Sequence, residues 1–163
     1  IQFYAKDCMQ RTESIRFQGK LGDRVKLHAA SLNGINPFSR EVWVSPADEL
    51  CFEFVLKTEA FSRLKIDLGI TFEGLRLLTL HDFPEGAPFP GGKMQVRFRI
   101  PAGLLRPGMY LVGLGGNEGD KFSDWFWKSD VFSFVITEEW TEAMYECSTG
   151  CINLSVKGER WVL

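Results

Sequence analysis

Histidine and cysteine are scarce in this 163-residue chain, with two of the first and four of the second. Neither sign of charge dominates, and the formal net charge is −2. Each shortage excludes something. His28 and His81 lie far apart in sequence and leave little material for a histidine-based metal site or a hydrolytic triad. Cys8, Cys51, Cys147 and Cys151 make no dense disulfide framework. Three residues separate Cys147 from Cys151, not the two of a zinc knuckle or redox motif. No metal site is expected, and reduced thiols in a cytosolic compartment are. A nearly neutral chain has no general electrostatic reason to hold nucleic acid or an anionic membrane. No apolar run approaches the roughly 20 residues that span a bilayer. The chain begins at Ile1 with neither an initiator Met nor a signal-peptide pattern, so it is expected to be part of a longer protein.

Catalytic signatures are also missing. The glycine-rich stretch "GLGGNEGDKFS" (113–123) is not a phosphate loop: Gly119 is followed by Asp120, not Lys, and no glycine stands five residues before it. It also fails as a dinucleotide fingerprint, because position 118 is Glu. No Ser sits in a Gly-x-Ser-x-Gly elbow. Asp120, Asp124 and Asp130 follow no calcium-loop pattern, and surface solvation accounts for them. No catalytic residue and no cofactor is expected.

What is present is alternation. Hydrophobic residues make up 45% of the chain and charged ones 25%, ordinary values for a globular domain with a core. "LCFEFVLK" (50–57) puts Leu50, Phe52, Phe54 and Leu56 on one face, and "LKIDLGITF" (64–72) does so with Leu64, Ile66, Leu68, Ile70 and Phe72. "KMQVRFRI" (93–100) alternates Met94, Val96, Phe98 and Ile100 with Lys93, Gln95, Arg97 and Arg99. "MYLVGL" (109–114) and "DVFSFVI" (130–136) continue the pattern. "RVKLHAASL" (24–32), "LRLLTLHD" (75–82) and "CINLSV" (151–156) are weaker candidates. Turn chemistry separates them: "FEG" (72–74), the loop "PEGAPFPGG" (84–92), and "RPG" (106–108), where Pro107 presets φ and Gly108 supplies a positive one. The expected fold is all-β, an antiparallel sandwich of about eight strands with one short helix over 138–146. Residues 1–20 are expected to form a linker or N-terminal arm, and 21–163 the domain.

The outward faces suggest binding. Strand 64–72 turns Lys65, Asp67, Gly69 and Thr71 outward, and strand 109–115 turns out Met109, Leu111, Gly113 and Gly115. Glycine inside a strand often marks close approach by another group. If the two strands share a sheet, Gly69, Gly113 and Gly115 form a shallow floor, with Asp67, Thr71 and His81 supplying polar groups. The segment "GDKFSDWFWKSD" (119–130) reads as a loop that enters beside this floor. Trp125 and Trp127 share parity, so in an extended segment they share a face and Phe126 points to the core. Three readings of the tryptophans stay open: capping the sandwich, contacting a second subunit, or stacking on the C–H face of a sugar. On the sugar reading, the candidate contacts are Asp67, Gly69, Thr71, His81, Gly113, Asp124, Trp125 and Trp127.

A set of segments in order carries a family resemblance. They are "GDRVKLHAASLNG" (22–34), "LCFEFVLKTEAFSRLKIDLGITFEGLRLLTL" (50–80), "KMQVRFRIPAGLLRPGMYLVGLG" (93–115) with its Leu-x-Pro-Gly-x-Tyr, "DVFSFVI" (130–136) and "GCINLSVKGERW" (150–161). Together, over roughly residues 20–163, they resemble the C-terminal carbohydrate-binding domain of Wzt-type ATPases, from ABC transporters that export O-antigen polysaccharide. The resemblance implies an immunoglobulin-like β-sandwich that recognises the modified end of a lipid-linked glycan. It implies a cytoplasmic location at the inner face of the bacterial inner membrane, with the transporter's membrane subunit reached through an ATPase domain outside this sequence. It also implies a homodimer in which a C-terminal strand, here about 150–156, crosses to the partner. It carries no sugar-contacting residue across position by position, so the candidate contacts rest on the strand faces. "DWFWKSD" and "PEGAPFPGG" look particular to this chain and are where glycan preference is expected. The competing reading is an immunoglobulin-like interaction or dimerisation module with no sugar ligand.

Overall fold

A computed structural model describes residues 19–117, 125–138 and, for the backbone alone, 159–162. Ten strands and no helix occur among the described residues: β1 (Val25–Leu32), β2 (Trp43–Val44), β3 (Leu50–Thr58), β4 (Phe61–Phe72), β5 (Leu75–His81), β6 (Ala87–Phe89), β7 (Gly92–Ile100), β8 (Gly108–Asn117), β9 (Trp125–Ile136) and β10 (Glu159–Val162). The helix expected over 138–146 lies outside the described residues but for Glu138. The arm over residues 1–18, the strand over 151–156, Asp124, Cys8, Cys147 and Cys151 lie outside them too.

The strands form two sheets, ordered β1-β3-β7-β10 and β2-β9-β8-β4-β5, with β6 paired to β4. Alternation explains the core between them. Phe52, Phe54 and Leu56 of β3, Met94, Val96 and Phe98 of β7, and Leu64, Ile66, Leu68 and Ile70 of β4 are wholly buried. The two layers meet through aromatic rings. Phe52 contacts Phe132 and Phe134 across the interior at centroid distances of 6.4 and 5.6 Å, and Phe54 lies 6.3 Å from Phe132. The result is an immunoglobulin-like β-sandwich. Among the described residues the one departure from antiparallel pairing is β2, which runs parallel to β9 with Trp43 opposite Val135 and Val44 opposite Ile136.

Local chemistry sets the connections. Glu73 and Gly74 both take positive φ, 49° and 80°, which is what a two-residue turn matched to strand twist requires between β4 and β5. At the start of β8, the Tyr110 hydroxyl donates to the Arg106 carbonyl at 2.7 Å, back across the Pro107–Gly108 corner. The Tyr110 ring stacks on Phe134 at 5.4 Å and packs against Phe72 at 5.0 Å. This tyrosine corner ties the Leu-x-Pro-Gly-x-Tyr stretch to both sides of its sheet. Burial pushes the Tyr110 phenol up to about 12.

The structure differs from the strand alternation in one important place. Residues 125–130, read as loop from their polar ends, are the first half of β9. They pair with β8 from Asn117 opposite Trp125 to Leu114 opposite Lys128. An irregularity opposite Gly113 absorbs the extra residues of β9 before regular pairing resumes at Val112 and Phe132. The polar Lys128, Ser129 and Asp130 sit at this break, which is why the run does not read as one strand.

Candidate functional site

The outer face of the β2-β9-β8-β4-β5 sheet gathers most of the candidate residues. β4 and β8 are direct neighbours, with Gly69 opposite Gly113 and Asp67 opposite Gly115. Trp127 of β9 is opposite Gly115. The glycine floor therefore exists, and the chain's own Trp127 lies across it. A Cβ at Gly69 would fall 2.7 Å from Trp127 Cη2, and one at Gly115 would fall 2.5 Å from Cε3. A Cβ at Gly113 would overlap Cζ2. The three missing side chains make room for one indole, which the bare backbone supports from below.

Arg76 of β5 covers the same indole from above, its guanidinium carbon 4.1 Å from the ring centroid. Its Nη1 reaches Thr79 Oγ1 at 3.4 Å. One strand-row further along, Lys65 Nζ lies 4.4 Å over the ring of Trp125, which is 48% exposed. Each tryptophan thus carries a cation on one face, an arrangement favoured by the ring quadrupole.

The polar centre of this face is Asp67. It is 1% exposed, yet it carries a carboxylate. Two neighbours satisfy it: His81 Nδ1 at 2.5 Å and Lys65 Nζ at 3.8 Å. An ionised carboxylate only accepts hydrogen bonds, so the short contact places the proton on His81 Nδ1. Cross-strand pairing of Asp67 with His81 sets this geometry. A buried charge is costly unless paired, and here both partners reach solvent: Lys65 is 16% and His81 39% exposed at the side chain.

The expected residues fall into three groups. Asp67 and His81 meet, with Trp125 beside them across Lys65. Gly69, Gly113 and Trp127 meet in the centre. Thr71, half-buried, stands four residues from Asp67 on the same strand, beside Leu111 and Arg76. The spacing is about 13 Å in a strand, so Thr71 is separate from the carboxylate. Asp124 lies outside the described residues.

Two members of this face were missing from the expected contacts. Lys65 has the same parity as Asp67, and that was the signal available for it. Arg76 was hidden. Alternation back from Leu80 and Leu78 sends Arg76 into the core, but an irregularity in the pairing between Ile70 and Thr71 lets Arg76 oppose Thr71 and face outward. Among the described residues, no three of His, Cys, Asp or Glu gather into a group that could hold a metal.

No protein-family profile matches the sequence, and no curated protein matches it significantly. In three dimensions the chain is similar to a crystal structure of the C-terminal domain of wzt, with a TM-score of 0.57 and 18% identity. That likeness covers 74% of this chain and 78% of the other. At such an identity, what the two share is the fold.

Proposed function

We propose that this chain is a non-catalytic glycan-binding module of a polysaccharide exporter, taking the end of a lipid-linked O-antigen chain as its ligand. Two likenesses support it. One is the ordered segments that resemble the carbohydrate-binding domain of Wzt-type ATPases. The other is the fold shared with the C-terminal domain of wzt. The observation that carries the reading is the exposed indole of Trp125 with Lys65 over its ring, and Lys65 in turn joined to Asp67 and His81. An aromatic face suits the C–H face of a pyranose, and a few oriented polar groups suit its hydroxyls.

On this reading Trp125 stacks on sugar, while Lys65 and His81 donate or accept at its edge. Asp67 acts mainly by holding those two in place. Trp127, Gly69 and Gly113 form the support beneath, and Thr71 and Asp124 extend the contact at its margins. The domain works in the cytoplasm at the inner membrane, as a homodimer in which a strand over about 150–156 crosses to the partner, and passes its signal through an ATPase domain to the membrane subunit.

Calorimetry with the glycan of the source strain, against a foreign glycan, tests this. Trp125→Ala should weaken binding at least tenfold while the domain stays folded and melts within a few degrees of wild type. Wild-type affinity in both Trp125→Ala and Asp67→Asn would remove this face as the site.

One feature favours the alternative, a protein-contact module without sugar. Strand β5, at the edge of its sheet, exposes Leu75 (71%) and Leu77 (49%). Under that reading the tryptophans lose acrylamide quenching only as protein concentration drives self-association, and no glycan restores protection in the monomer.

A further inference from the structure

The other outer face, on β1, β3 and β7, carries a different pattern. Lys26 of β1 is directly opposite Lys57 of β3, and Lys57 is directly opposite Lys93 of β7. Lys20 extends the row through a bridge to Lys26. All four are exposed. With neighbouring strands about 4.8 Å apart, the row runs for about 14 Å across the sheet.

Like charges directly opposite one another in a sheet are destabilising. Elsewhere on this face the chain avoids that cost: Arg97 is matched with Glu53 at 2.6 Å and Arg99 with Glu49 at 3.6 Å. The lysine row is treated differently. Lys20 pairs with Asp23 at 2.8 Å, but Lys26, Lys57 and Lys93 have no carboxylate partner among the described residues. The adjoining outward row, Ala29, Val55 and Gln95, is uncharged, so no acid repels an approaching anion there.

We propose that this row docks the domain on an anionic phospholipid surface. The chemistry of the residues favours a bilayer over a nucleic acid. All four cations are lysines, compact charges on flexible stems that suit a diffuse plane of headgroups. Arginine, with its fixed fork, is the usual choice for phosphodiester recognition, and none stands in the row. Lys26, Lys57 and Lys93 stand side by side across three neighbouring strands, so they can reach a planar surface together. The net charge of −2 argues against general attraction, so the attraction is local to this face. Lys26, Lys57 and Lys93 lie on the outer face of the other sheet from Trp125 and Trp127, and only Lys20, at the end of the row, lines a groove shared with Trp125, so the inference does not rest on the glycan reading.

Co-sedimentation of the whole chain with vesicles tests it. The vesicles are phosphatidylcholine alone, or phosphatidylcholine with about one-third phosphatidylserine. A short DNA duplex provides a third arm. Binding is expected to the acidic vesicles only, and to vanish at high salt. Lys57→Gln should weaken it about fivefold, and the triple variant Lys26→Gln/Lys57→Gln/Lys93→Gln about a hundredfold. Arg40→Gln, an exposed cation between β1 and β2 and outside the row, should leave it unchanged. The triple variant should also melt at the same temperature or higher, because it removes repulsion; a purely structural role would lower it. If the triple variant misfolds, the single Lys57→Gln loss decides. Equal partition to neutral and acidic vesicles, wild-type partition in Lys57→Gln, or lysine-dependent binding to the duplex alone would each overturn the proposal.

Discussion

The indole of Trp127 lies across Gly113, so close that any side chain there would overlap Cζ2. The pairing is a fit between an absent group and a large one. Gly113→Ala should therefore act through Trp127 more than through the backbone. We expect it to destabilise by about 1–3 kcal/mol, as overpacking does, and to alter the near-ultraviolet dichroism of the tryptophans. In the double variant with Trp127→Ala the alanine meets no ring. The two effects should then fall short of additive by about 1 kcal/mol or more in a denaturant cycle.

The two tryptophans should separate in a stability measurement. Trp125 is half exposed, with Lys65 over its ring, so Trp125→Ala should cost under about 1 kcal/mol. Trp127 covers three glycines and sits under Arg76, so Trp127→Ala should cost more, about 2 kcal/mol. Equal midpoints for the two variants would contradict the described placement.

His81→Ala leaves Asp67 buried, with Lys65 at 3.8 Å as its remaining described partner. Leaving a buried acceptor without its short hydrogen bond costs about 1–3 kcal/mol. His81→Gln, which keeps a donor, should recover part of that loss. Urea denaturation at neutral pH reads both.

Tyr110 gives the fold an alkaline limit. Its phenol is pushed up to about 12 by burial, against about 10 in an unfolded chain. A raised pKa means that the folded state holds its proton longer. The contribution is complete below pH 10 and is lost as pH rises through about 12. Tyr110→Phe should lose about 1 kcal/mol at neutral pH with the Arg106 hydrogen bond, and should show a flatter decline between pH 10 and 12. Melting temperatures across that range, wild type against variant, check the sign.

Cys51 is a free, half-buried thiol whose pKa is raised, first by burial and then by the nearby Glu53. Thiolate is the reactive form. Iodoacetamide should label the Cys51 peptide slowly at neutral pH in the folded chain and quickly in denaturant, as read by mass spectrometry.

Most of the sandwich could be read from alternation, because β3, β4 and β7 each bury one face and each apolar residue reports its own side. Gly69 and Gly113 were legible for the same reason: a glycine on the outward parity has no structural purpose unless something comes close. What came close was not legible. Nothing local says that an indole from β9 reaches across β8, since that depends on the pairing register. The irregularities in pairing between Ile70 and Thr71 and opposite Gly113 each broke the two-residue rhythm, hiding Arg76 in one case and the strand character of residues 125–130 in the other. The lysine row was hidden differently. Each lysine is an unremarkable outward residue on its own strand, and only the register brings them into line.

Trp127 and its three glycines also bear on ancestry. A chain that first gained a large ring at position 127 would have met side chains at 69, 113 and 115, and a chain that first lost those side chains would have had a bare gap. Positions 69, 113 and 127 should therefore covary in descent, whereas 115 is also closed to a side chain by the Phe126 backbone carbonyl. Relatives with alanine or serine at 113 should carry something smaller than tryptophan at 127, and intermediates with only half of the exchange should be rare. Position 125, free of that constraint, is where lineages can diverge.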